Sequence, residues 1–418
     1  MFGVLALLGA LQGSAVRDTI VISLDEAARR AVSVSPLVEV ALGEVRRATG
    51  LRAESGWPFA TNPTVSYNRT RRRSAGLTSH DYEWSISQEV EIAGQSFLRR
   101  SAASAFTRAS LARVEDSRRR AALEARAGYV VLTVAEERAV LADSAAAFAE
   151  RLAGFARRQF EAGEMNRLEL NAAVLEGARA RSAADRIAAE HEAAIADLRR
   201  VLGIAGDSGL RTVGLPPVPS LAWSSDSALL ALARERRPDL LASRESYGGA
   251  RSAAKLAGRS LIPNLALSIN SGQEAGTDRL IGFGLGVRLP LFYRQQAAKG
   301  AAAADLAGTH AELVALERAV VAQLRTATAA YTRARAAEQR FARDVLGAAT
   351  ENVALTEQAL REGEVSLTDV ILLRRTALDA QLEYLDVLTT SYLAWFDFAA
   401  TLGAEPDDLA SLLSGTEH

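Results

Sequence analysis

Gln159-Phe160-Glu161-Ala162-Gly163-Glu164-Met165-Asn166-Arg167-Leu168-Glu169 returns later in the chain as Gln358-Ala359-Leu360-Arg361-Glu362-Gly363-Glu364-Val365-Ser366-Leu367-Thr368-Asp369. In both copies a glycine stands between two long, alanine-rich stretches of helical pattern, and a carboxylate, Glu169 or Asp369, follows at the same distance. Glycine reaches left-handed backbone angles without a Cβ clash, so it suits a tight turn between helices. Each copy therefore reads as the tip of a long helical hairpin, the first over residues 96–202 and the second over 296–402.

Working outward, the whole chain repeats. Ser23-Leu24-Asp25-Glu26 is a capping box that opens a helix over residues 24–54, kinked at Pro36. Ser225-Asp226 opens its counterpart over 225–258, kinked at Pro238. Pro63 is answered by Pro263, and Asp197 to Gly203 by Asp397 to Gly403. The expected organisation is a first repeat over 16–203, a linker over 204–224 containing Leu215-Pro216-Pro217-Val218-Pro219, a second repeat over 225–403, and a frayed tail over 404–418. Heptads run through both long helices, one through Val114, Ala121, Gly128, Ala135, Ala142, Ala149 and Ala156. The other runs through Leu313, Val320, Ala327, Ala334, Phe341, Ala348 and Leu355. Small residues every seventh place favour close packing with a left-handed twist. The short helices, end to end, match one long neighbour in length, as in the wall of a tube.

Between helices the period changes to two. Residues 63–72 set Val65, Tyr67 and Arg69 against Ser66, Asn68 and Thr70, and residues 82–91 alternate likewise. The second repeat does the same over 263–272 and 281–290, where Gly282, Gly284 and Gly286 share one face and allow tight barrel curvature or close strand contact. Strands of ~10 residues with one apolar face have the length of membrane-barrel strands. Residues 71–81, with Arg71-Arg72-Arg73, read as a solvated polar loop, pairing with lipid phosphates being the second reading; 271–280 is the other loop. Four strands cannot close a barrel, because bacterial barrels start at eight, and an open edge is not tolerated in lipid. Several chains must therefore combine: two would supply eight strands, three twelve, four sixteen.

Composition narrows the chemistry. The chain has 418 residues, a formal net charge of −1, 6% aromatic residues and no cysteine. Near-zero charge gives no electrostatic case for nucleic acid. Lack of cysteine excludes disulfides, thiol catalysis and a lipidated cysteine. His80, His191, His310 and His418 are isolated and the only methionines are Met1 and Met165, so no cofactor or metal site is expected. No catalytic constellation is present, and no enzyme activity is expected. Residues 1–15 form a short apolar run ending in small residues, which reads as the remnant of a secretory signal peptide cleaved near Gly13-Ser14-Ala15. A soluble periplasmic coiled-coil scaffold would explain the helices but not the four alternating segments.

Helix, strand pair and long hairpin, all duplicated, resemble the TolC-like outer-membrane efflux proteins. Arg237-Pro238-Asp239-Leu240 is similar to their RPDL segment, and Gly363 to Ile371 to their tip pattern. Leu289-Pro290-Leu291-Phe292, and Gln88 to Gln95, resemble the heavy-metal branch that serves cobalt–zinc–cadmium and copper efflux, although Tyr293 stands where that branch usually has aspartate. The first tip, with Met165-Asn166-Arg167, matches less well. The resemblance implies a mainly α fold with a small β part, forming a homotrimer. It implies a twelve-stranded β-barrel in outer-membrane lipid, continued by a coiled α-helical barrel in the periplasm. It also implies two protein partners, a periplasmic adaptor (membrane fusion) protein and an inner-membrane RND-type pump. Gly163, Glu164, Gly363, Glu364 and Ser366 would form the adaptor-docking tips, and Arg167, Glu169 and Asp369 the periplasmic aperture. For Glu169 and Asp369 the residue-level alternative is a carboxylate favoured by the helix dipole in a first turn. A drug or protein-secretion duct of the same fold is the other cargo reading.

Overall fold

A computed structural model describes residues 19–414, except Ala75, Asp207, Gly276, Gly363 and Glu364. The expected signal-peptide remnant at 1–15, the centre of the second tip at Gly363 and Glu364, and the last four residues thus lie outside the described residues. The described chain divides into two compact units, and each draws on both sequence repeats. One holds residues up to Ser35 with Arg120–Leu221 and Thr328–Phe398; the other holds Pro36–Arg119, Ala222–Ala327 and the residues from Ala399 onward.

Both expected proline kinks are helix breaks. The first helix is α1 (Leu24–Val34) followed by α2 (Pro36–Ser55), and Ser35 between them is extended, with ψ 123°. The Pro36 ring disfavours helical ψ at the residue before it. The second repeat gives α5 (Asp226–Arg236) and α6 (Pro238–Arg259), with Arg237 extended at ψ 116°. Serine caps α1 and α5: Ser23 Oγ accepts from the Glu26 N–H and Ser225 Oγ from the Ala228 N–H.

The long helices are α3 (Gln95–Glu161), α4 (Arg167–Val201), α7 (Gln296–Phe341), α8 (Gly347–Glu362) and α9 (Leu367–Leu402). Alanines carry much of their packing. Ala142, Ala149 and Ala156 of the first heptad are buried, as are Val320, Ala327 and Ala334 of the second. Continuity from 296 to 360 does not hold, because a π-helical turn at Ala342–Leu346 separates α7 from α8. Beyond it the heptad positions Ala348 and Leu355 are exposed, and Ala349 and Thr356 are buried instead, Thr356 at 4% exposure against 55% for Leu355. A π turn accommodates one extra residue, so it moves the buried stripe on by one place.

The linker at 204–224 is not free. Its β4 (Gly209–Thr212) lies parallel to β1 (Thr19–Ile22), a pairing without amphipathic alternation to announce it. Tyr129 Oη donates to the Gly214 carbonyl at 2.9 Å and accepts from the Val213 N–H, while Glu136 accepts from the Thr212 N–H and hydroxyl. Tyr331 holds Pro219 and Leu221 in the same way, and Tyr392 donates to the Pro216 carbonyl. Burial raises the pKa of all three phenols, so they stay neutral donors. Nor is the tail frayed throughout: α10 (Leu409–Ser414) buries Leu409 and Leu413.

The remaining strands are β2 (Thr64–Ser74), β3 (Leu77–Val90), β5 (Leu265–Glu274) and β6 (Asp278–Val287), antiparallel in the order β2-β3-β5-β6. They run well into the expected loops 71–81 and 271–280, pairing as far as Ser74 with Leu77 and Glu274 with Asp278, because the alternation continues through arginine and serine as readily as through valine.

Candidate functional site

Two features of the chain stand out, the hairpin tips and the sheet.

At the first tip Gly163 has φ +75°. Its N–H donates to the Phe160 carbonyl and the Glu164 N–H to the Gln159 carbonyl, at 3.0 and 2.9 Å. That pair of bonds closes the end of α3 as a Schellman motif. Asn166 then caps α4, its side chain accepting from the Glu169 N–H at 2.9 Å. Gly163, Glu164, Arg167 and Leu168 are exposed and Glu169 partly so. At the second tip Ser366 and Asp369 form a reciprocal box. Ser366 Oγ accepts from the Asp369 N–H at 3.2 Å, and the Asp369 carboxylate accepts from the Ser366 hydroxyl at 2.6 Å and its N–H at 3.3 Å. Asp369 is therefore a capping carboxylate at the start of α9, as the capping-box pattern allows.

The structure brings the two tips together. Leu152, Ala153, Ala156 and Ala173 of the first hairpin form one buried cluster with Leu367 and Val370 of the second, and Met165, Leu170 and Val365 pack against it. Arg374 lies over the Phe148 ring at 4.2 Å. This shared apolar seat is not visible in either copy alone, since each tip reads as an independent turn. The RPDL segment has a structural setting: Arg237 makes a bidentate bridge to Asp239 at 2.7 and 3.0 Å, and its Nη1 reaches Gln323 and the Thr401 carbonyl. Burial opposes ionisation of Asp239, but the Arg237 hydrogen bonds and charge, with the Leu240 N–H, outweigh it and hold the carboxyl below its usual range.

The sheet is amphipathic with its apolar side uncovered. One cross-strand row reads Val65, Ile86, Ile269 and Phe283, exposed by 61, 55, 56 and 84%. Adjacent rows add Tyr67, Trp84 and Ile281 on one side and Leu267 and Leu285 on the other. The opposite face carries small polar residues in register, Ser66, Ser85, Asn270 and Gly282 among them. Gly284 there faces the Ser268 hydroxyl so closely that a Cβ would collide with it, as small residues permitting close strand contact require. Within the described residues β2 and β6 each have a single neighbour, so both outer edges of the sheet are unpaired. No described helix is long and apolar enough to cross a membrane. No cluster of three or more potential metal ligands occurs among the described residues.

Two helical hairpins joined to one four-stranded amphipathic sheet are a fold that solved outer-membrane channels share. A membrane protein from Pseudomonas aeruginosa has the same fold, with a TM-score of 0.75 at 19% identity over 91% of this chain and 93% of that one. CusC matches with a TM-score of 0.76 at 15% identity over 91% and 92%. The CmeC outer membrane channel of Campylobacter jejuni matches with 0.73 at 15% over 94% and 89%. Residues 229–404 match the family of outer membrane efflux proteins. That span is the second repeat, the copy whose tip resembles the family better. No curated protein shows significant sequence similarity to the chain.

Proposed function

We propose that the chain is the outer-membrane duct subunit of a tripartite efflux system. Three copies would pair their open β2 and β6 edges into a twelve-stranded barrel in outer-membrane lipid, with the helical hairpins forming the periplasmic tunnel. The observation that carries this reading is the sheet: its apolar face is uncovered and both of its edges lack partners. Lipid covers such a face, and only closure with other copies satisfies such edges. A duct conducts passively and needs no catalytic step.

In this reading Gly163, Glu164, Gly363, Glu364 and Ser366 meet the periplasmic adaptor protein, which connects the duct to an inner-membrane RND-type pump. Arg167, Glu169 and Asp369 line the periplasmic aperture, Asp369 doing so while it caps its helix. The cargo is heavy-metal cations, on the strength of the Leu289-Pro290-Leu291-Phe292 and Gln88 to Gln95 segments. Tyr293 stands in place of the aspartate of that branch, and drug or protein export is the second reading.

Light scattering of the protein in detergent tests the assembly: a homotrimer is expected, and a monodisperse folded monomer would sink the barrel. Deleting the gene tests the cargo. Sensitivity to cobalt, zinc, cadmium or copper is expected, and sensitivity to hydrophobic drugs alone would replace the metal reading by the second one.

A further inference from the structure

Charge in the sheet is sorted by face. The register places Asp81, Glu83, Glu89, Glu274 and Asp278 on the polar face, where Arg72 pairs with Asp81 at 2.8 Å and lies 3.6 Å from Glu274. None of the four strands puts a carboxylate on the apolar face. The charged residues of that face are Arg69, Arg71, Arg73 and Arg279, with His80 opposite Arg71, all of them exposed. Among the described residues none of these four arginines has an ion pair.

Their position is as telling as their sign. Along β2 the face reads Val65, Tyr67, Arg69, Arg71, Arg73, so the cations continue the apolar band toward the hairpin turn without a break. At ~3.4 Å per residue and a ~40° tilt, they stand about 5, 10 and 15 Å beyond the last apolar row. The headgroup layer begins where the hydrocarbon core ends and is several ångströms deep. Arg69 and Arg279, which share one cross-strand row, stand within that layer, while Arg71 and Arg73 stand beyond it and can reach back on long side chains; guanidinium binds phosphate through two parallel hydrogen bonds.

We propose that Arg69, Arg71, Arg73 and Arg279 form a docking ladder for the phosphate groups of an anionic, phosphorylated glycolipid in the outer leaflet. The inference rests on the outer-membrane reading and adds a specific lipid contact to it. The occupant is a lipid rather than a free phosphate because the ladder adjoins acyl-covered surface on the same face.

The test uses the full chain in non-ionic detergent, with lipid A as probe and retained lipid counted by native mass spectrometry. Wild-type protein should retain lipid A, and the combined R69Q/R71Q/R73Q/R279Q variant should retain it at least tenfold less. Lipid A stripped of its phosphates should behave towards wild type as intact lipid does towards the variant. The polar-face variant R72Q should match wild type. Equal retention by the combined variant, equal retention of dephosphorylated lipid, or displacement by millimolar inorganic phosphate alone would each overturn the proposal. Flotation with phosphatidylcholine vesicles keeps the two readings apart. The combined variant should still float, and failure of wild type to float would count against the membrane reading itself.

Discussion

Gly403 is packed onto the backbone of Arg237: a Cβ at Gly403 would lie 2.9 Å from the Arg237 nitrogen and from the preceding carbonyl carbon. Its φ is +74°, and the N–H groups of Gly403 and Ala404 close the end of α9 on the carbonyls of Ala400 and Ala399. The first repeat builds the same contact in a softer form. Gly203, at φ +59°, would meet the Val34 side chain at 3.1 Å, and Val34 stands two places before Pro36 as Arg236 stands two before Pro238. Gly403→Ala combines left-handed strain with a backbone collision and should cost about 2–4 kcal/mol. Gly203→Ala meets a side chain that can move and should cost about 1–2 kcal/mol. Thermal unfolding followed by circular dichroism should rank the variants in that order; the reverse order would refute the account.

The Arg237–Asp239 bridge makes a pH prediction. The folded pKa of Asp239 lies below its ordinary value, so the bridge stabilises fully above pH ~4 and is lost as pH falls through the folded value. Asp239→Asn leaves the Arg237 guanidinium buried without its counter-charge, at a cost of about 3 kcal/mol near neutral pH. The gap between wild type and variant should narrow as the solution is acidified from pH 5 to 2. Parallel denaturation midpoints across that range would show that the bridge contributes nothing.

Deletions test the π turn. Removing Asp344, an exposed residue inside it, lets α7 continue into α8 as plain α-helix with Ala349 and Thr356 still on the buried stripe. The cost should be within about 1 kcal/mol of zero. Removing Asp143 from the unbroken α3 instead rotates everything beyond it by ~100° and carries Ala149 and Ala156 off their seat. That variant should be the less stable by at least about 3 kcal/mol. Equal melting temperatures would mean that the π turn absorbs nothing.

For the tips the expectation is loss of docking without loss of fold. Nothing lies within 4 Å of a Cβ built on Gly163, so Gly163→Val costs only the turn's left-handed strain, about 1–2 kcal/mol. Ser366→Ala removes the cap of α9 for about 1 kcal/mol. Both should form oligomers like wild type while cross-linking less to the adaptor. Gly363→Val should do so more strongly. Full efflux by all three would reduce the tips to plain turns.

Much of this was legible from spacing. Period-two alternation located four strands, and the recurring glycine and proline positions exposed the duplication. What escaped has physical reasons. The alternation beyond Arg69, at Arg71 and Arg73, reads as a polar loop because its apolar-side residues are charged. A heptad written in alanine gave no sign of where a π turn would displace it. The β1–β4 pair is too short for a periodic signal, and the common seat of Met165 and Leu367 is a contact between distant segments.

The three tyrosines that hold residues 213–221 bear on the cost of joining the two repeats. A loose tether would keep the entropy of an open loop, and a cut in it would set that freedom loose. Here Pro216, Pro219 and Leu221 are each fastened to a phenol, and Val218 is 2% exposed. A protease nick between Val213 and Gly214, where Val213 is exposed, would leave both new ends on the Tyr129 phenol, so the halves of the chain should stay together as a non-covalent pair.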